Sequence, residues 1–190
     1  MQKGELIQEV CLHLLHGNKA ASSALINEKY PFNTATVDER RYTLIEKIKI
    51  FLDDGFIDRY SGDKLVFPGI LQILTMEFPS DFPKQSSWKM TQTHIAYWEL
   101  YPTIDHIHPI ARGGKDEPYN CVTTSMIRNA AKANWTLEEI GWTMKEKGKL
   151  EDWDGLTSLF LNLLKARPEL RADRNIKTWE TGLIKALYNK

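Results

Sequence analysis

The residue types suited to chemistry crowd into positions 105–132. They are Asp105-His106-Ile107-His108-Pro109, then Gly113-Gly114, Asn120, Asn129 and Lys132. A carboxylate, an imidazole, two carboxamides and an ammonium in one short stretch suffice to bind a hard metal ion, activate a water and hold a phosphate. Asp105 and the Asn129 carbonyl offer oxygen ligands, which favour Mg²⁺, Mn²⁺ or Ca²⁺ over softer metals. Two protein ligands leave most of an octahedral shell to water and substrate phosphate, the usual manner of Mg²⁺ binding. An imidazole with an ordinary pKa of about 6.5 is suited to take a proton from water near neutral pH. Lys132, Arg112 and Arg128 are the candidate cations for phosphate oxygens.

The elements that must position these groups follow from the local pattern. Residues 104–108 read as a strand that Pro109 ends. Residues 119–123 read as a second strand across a Gly-Gly loop, and residues 126–133 as a helix capped by Thr124 or Ser125. Asn129 and Lys132, three apart, share a face of that helix. Strict alternation puts Asp105 and His106 on opposite faces of a strand. Both serve one site only if the strand ends or bulges there, so an irregular strand end before Pro109 is expected. His106 and His108 share a face, and H-x-H on a strand also suits zinc. Only Cys121 lies nearby as a third ligand, so His108 reads better as a polar neighbour.

Through D-H-I-x-P, Gly-Gly and H-x13-N-x8-N-x2-K, residues 100–135 resemble the HNH endonuclease family, also called ββα-metal nucleases. The resemblance implies His106 as general base, Asp105 and Asn129 as ligands of one metal, and Asn120 as a tie between loop and strand that orients His106. It implies Mg²⁺ or Mn²⁺ as the metal and DNA, in double-stranded form, as substrate. It also suggests a restriction or defence role. Many members carry two CxxC pairs around a structural zinc. Here one pair would fall on Ser125 and Arg128, so no structural zinc is expected, and Trp98, Trp135, Trp142 and Trp153 are candidates to pack the motif instead.

Around the motif the chain reads as mostly helical. Apolar stripes predict helices over 5–16, 18–29, 38–53, 154–166 and 173–188, and Thr136 with Glu139 forms a capping box that starts another. Residues 55–68 read as two β-prone runs around Ser61-Gly62-Asp63, a hairpin. Three helices and a hairpin is the order of a winged helix. Pro79 and Pro83 mark a boundary. The expectation is an α+β protein. It comprises a helical, winged-helix-like module (1–80), the strand-loop-strand-helix core with its lead-in (81–135) and a C-terminal helical extension (136–190).

The 190 residues carry 25 acidic and 25 basic side chains, so net charge is zero and any nucleic-acid contact must come from local clustering. With 42% hydrophobic residues and six Trp, a packed interior is expected rather than disorder. Two cysteines, Cys11 and Cys121, are too few for a disulfide framework or a four-cysteine zinc site. The start lacks the layout of a signal peptide, and no apolar run approaches the ~20 residues that span a bilayer. A cytoplasmic protein without membrane contact is the expectation. Cutting both strands requires two active sites, hence a homodimer or sequential nicking. Two other readings stay open: a non-catalytic nucleic-acid-binding or scaffold protein, and the same chemistry on RNA.

Overall fold

A computed structural model describes residues 2–32 and 42–188. Arg40 and Arg41, placed by the sequence on a helix from residue 38, lie outside the described residues. The protein is α+β and mostly helical, with 55% helix, 7% strand and a two-stranded antiparallel sheet. The chain divides into two compact units, residues 1–36 and 37–190. None of the described helices is long and apolar enough to cross a membrane.

In the first unit, α1 (Lys3–Leu15) and α2 (Lys19–Lys29) form a helical pair. Asn18 caps α2 through the Ala21 amide, and the Ser22 hydroxyl donates to the Val10 carbonyl at 3.0 Å.

The second unit is built around a core of Ile48, Phe51, Phe56, Phe67, Phe160, Leu164, Ile176 and Leu183. These residues come from α3 (Leu44–Asp53), the segment after it, α8 (Thr157–Ala166) and α9 (Arg174–Tyr188). A capping box of Thr43 and Glu46 starts α3. The helix α4 (Pro68–Glu77) was not expected from the sequence. Its signal is Pro68 in the first turn, where a missing N–H costs nothing. A short α5 (Ala96–Glu99) leads into β1 (Pro102–His106). Then follow β2 (Cys121–Ser125), α6 (Met126–Lys132) and α7 (Leu137–Ile140). The register pairs Asp105 with Val122 and His106 with Cys121.

The division between the two compact units falls between residues 36 and 37. The α3 helix packs on α9 and on the sheet. The expected hairpin over 55–68 reduces to one isolated bridge, Ile57 with Lys64. The cause is Asp58, whose side chain is fully buried. Its carboxylate accepts from the Tyr60 amide (2.9 Å), the Thr124 hydroxyl (3.0 Å) and the Ser125 amide (2.8 Å). The chain therefore curls around this group instead of running straight. The Arg59 amide donates to the Thr123 carbonyl at 2.9 Å, so this segment covers the edge of β2 that β1 leaves open.

Candidate active site

The strand-loop-strand-helix unit from Pro102 to Lys132 brings most of the singled-out residues together. Asn120 stitches the loop. Its oxygen accepts from the His108 amide at 2.8 Å, and its nitrogen donates to the carbonyls of His108 (2.9 Å) and Lys115 (2.8 Å). Gly114 packs so closely that a Cβ there would lie 2.0 Å from the His108 carbonyl oxygen, and Gly113 has a left-handed φ of 91°. Only glycine meets both requirements without strain.

One face of β1 looks toward α6. There the fully buried Lys132 ammonium lies 2.8 Å from Asp105 Oδ2 and donates to the His106 carbonyl at 2.7 Å. The Tyr60 hydroxyl donates to the same carboxylate oxygen at 2.5 Å. Burial, then the charge of Asp105 beside it, pushes the Tyr60 hydroxyl pKa far up. The Asn129 amide nitrogen donates to the Thr103 hydroxyl and the Ile104 carbonyl, both at 3.1 Å. Among the described residues, Oδ1 of Asp105 and Oδ1 of Asn129 accept no hydrogen bond.

The other face carries His106. Its Nε2 is 3.0 Å from Asp116 Oδ1 and 3.4 Å from the Tyr42 hydroxyl. Tyr42 donates to Asp116 through a short bond and lies 2.9 Å from Cys121 Sγ. Burial, followed by the bond to Asp116, raises the Tyr42 hydroxyl pKa well above its ordinary value. Ligand atoms of His106, Asp116 and Cys121 lie within 4.8 Å of one another.

The β1 ladder runs regularly through His106. His106 is its last residue, so the strand ends there without a bulge, and the Asp105 and His106 side chains project to opposite faces. The backbone leaves the ladder only beyond His106, where Ile107 donates to the Asn120 carbonyl and His108 to the Asn120 side chain.

The cations expected on phosphate are placed variously. Lys132 is inside, on Asp105. Arg112 is exposed and pairs with Glu139, whose carboxyl this bond holds well below the usual carboxylate range. Arg128 stacks over the Trp142 ring at 5.5 Å, and Trp142 in turn packs on Tyr60. His108 is exposed and contacts the Arg112 carbonyl. Of the tryptophans expected to support the motif, Trp153 donates to the Leu65 carbonyl, whereas Trp135 is half exposed.

Sequence reasoning did not single out Tyr42, Tyr60 or Asp116. The two tyrosines are distant in the chain, and no spacing rule links them to the motif. Asp116 had one signal: an acid in the same loop as the Gly-Gly pair.

Comparison of the chain with protein-family models, curated proteins and solved structures finds no match.

Proposed function

We propose that the chain is a metal-dependent endonuclease of the HNH, or ββα-metal, type that hydrolyses phosphodiester bonds in DNA. The observation that carries this reading is that Asp105 of β1 and Asn129 of α6, which bonds Thr103 on the same face of β1, each keep one oxygen that accepts no hydrogen bond among the described residues. The donor set suits one Mg²⁺ or Mn²⁺ ion. Such an ion supplies Lewis-acid stabilisation of the phosphate charge and of the leaving 3′-oxygen. Asp105 and Asn129 would hold it, Lys132 and Tyr60 fix the rotamer of Asp105, and Asn120 fixes the loop that follows His106.

His106 takes the proton from the attacking water. With Nε2 turned to Asp116, Nδ1 is the nitrogen that acts as base. Because the imidazole lies across the strand from Asp105, the scissile phosphate has to be met round the strand end, beyond the pair of His106 with Cys121.

A non-catalytic nucleic-acid-binding or scaffold role is the second reading. It is favoured by the buried Lys132 ammonium, which already neutralises Asp105. Action on RNA is the third, since the same site chemistry serves either polymer.

Supercoiled plasmid in Mg²⁺, Mn²⁺, Zn²⁺ and EDTA separates these readings. The nuclease reading predicts metal-dependent nicking or linearisation, lost in Asp105→Ala and Asn129→Ala. Absence of cutting by the folded protein under every metal, with binding retained, favours the scaffold reading. Cutting confined to RNA favours the third.

A further inference from the structure

The chain as a whole is neutral, but its surface charge is not evenly mixed. Most arginines near the second unit's surface are paired: Arg59 with Asp54, Arg112 with Glu139, Arg167 with Glu77 and Arg171 with Glu180. Lys47 on α3, and Arg174, Lys177 and Lys185 on α9, are among the exposed cations that make no ion pair among the described residues. The three on α9 follow one another at helical spacing with Thr178 and Thr181, so they share a face.

That face and the start of α3 line a groove of about 480 Å³ with Thr43, Leu44 and Ile45, and among the described residues no carboxylate lines it. The one acid on α9, Glu180, is turned away onto Arg171. Glu46 of α3 folds back on its own helix start, accepting from the Thr43 amide at 2.8 Å. A second groove, of about 400 Å³, shares Leu44 with the first. It runs past Lys47 and Trp179 to Tyr42, Thr103 and Ile104, again without a carboxylate among the described residues. Tyr42 reaches the imidazole of His106, and both meet Asp116. The described lining of the two grooves thus carries no acid between α9 and Asp116 at the candidate base.

We infer that this surface holds the phosphate backbone of double-stranded DNA, with Arg174, Lys177 and Lys185 as its outer contacts and Lys47 as the contact nearest His106. From Arg174 to Lys185 is eleven residues. At ~1.5 Å rise per residue this is ~16 Å, about the axial length of five base pairs at ~3.4 Å each. A row of cations at this reach follows one backbone strand. It reads no sequence, because phosphate contacts position a duplex without distinguishing its bases. The inference rests on the reading that the chain acts on DNA and says how that substrate is held.

The test is binding of a labelled DNA duplex in EDTA, where metal-dependent cutting does not interfere, across a series of salt concentrations. The proteins are wild type, the triple variant Arg174→Ala/Lys177→Ala/Lys185→Ala, and a charge-matched variant, Lys89→Ala/Lys149→Ala/Lys165→Ala. Each phosphate contact contributes about 0.9 to the slope of log affinity against log salt, so the α9 variant should lose about 2–3 units of slope and the control almost none. If the triple variant unfolds, the three single variants serve, each losing about 0.9.

Equal losses in both triple variants would overturn the inference in favour of net charge alone. An unchanged slope in the α9 variant, or no binding by wild type, would also overturn it. Binding to duplex RNA with the same dependence on α9, and none to DNA, would reassign the surface to RNA. Wild type that binds through α9 and never cuts in Mg²⁺ would leave this surface standing and remove the nuclease reading.

Discussion

His106 Nε2 faces Asp116 Oδ1 at 3.0 Å, and the Tyr42 hydroxyl donates to that same oxygen. A histidine held at one nitrogen by a carboxylate has its tautomer and ring orientation fixed, and the opposite nitrogen is left as the base. Asp116→Asn should therefore lower kcat about 10- to 100-fold, within the range of general-base contributions, while KM changes little. Nitrogen chemical shifts of His106 should show one dominant neutral tautomer in wild type and a mixture in the variant. An unaltered kcat together with an unaltered tautomer would remove Asp116 from the site.

Asn120 satisfies three backbone groups from a buried position. Asn120→Ala strands the His108 amide and two carbonyls, each costing ~1 kcal/mol or more when left without a partner. Urea unfolding should show a loss of about 2–4 kcal/mol. A loss below ~0.5 kcal/mol would mean that water replaces the clamp.

The pair of Lys132 and Asp105 is buried on both sides, with side-chain exposures of 0% and 11%. Removing one partner of such a pair leaves an uncompensated charge inside. Lys132→Met should destabilise by about 3–5 kcal/mol, and adding Asp105→Asn should recover much of that loss. A double-mutant cycle measures the coupling directly. Additive effects would show that the two charges do not depend on each other.

Tyr60 keeps its proton in the folded protein at a pH where an unfolded tyrosine, with a pKa near 10, gives it up. Its contribution to stability is full below pH ~10 and falls as pH rises above that value, by up to ~1.4 kcal/mol per pH unit. Tyr60→Phe should unfold with a shallower alkaline dependence than wild type between pH 9.5 and 11, a window set by that pKa of about 10. Identical slopes would show that the Tyr60 proton is not linked to folding.

Local signals located much of the secondary structure. The apolar stripe at 5–16 and the helix expected over 18–29 correspond to α1 and α2, and the Thr136 capping box starts α7 where it was expected. That helix stops at once, because Gly141 adopts a left-handed conformation, so Trp142 lies beyond it rather than on it. Residues 104–108 and 119–123 anticipated the two strands, which are displaced by about two residues. Such an offset is normal where strand ends are set by pairing rather than by composition.

What stayed hidden was tertiary. A buried carboxylate at Asp58 turned an alternating hairpin pattern into a curled clamp on β2. Lys132 reads as a phosphate-binding cation on a short helix, yet it is buried on Asp105 and the His106 carbonyl. Tyr42 and Tyr60 reach the site from elements distant in sequence, which no local spacing encodes.

His106 is the proposed base in hydrolysis of a DNA phosphodiester. The most direct measurement is the rate and end chemistry of plasmid cutting in Mg²⁺ by wild type and by His106→Ala, with duplex binding followed in parallel. With His106 as base, wild type should cut to leave 5′-phosphate and 3′-hydroxyl ends, the variant should be at least about 100-fold slower, and binding should be unchanged. Equal rates for the two proteins, or no cutting by wild type that binds the duplex, would contradict it.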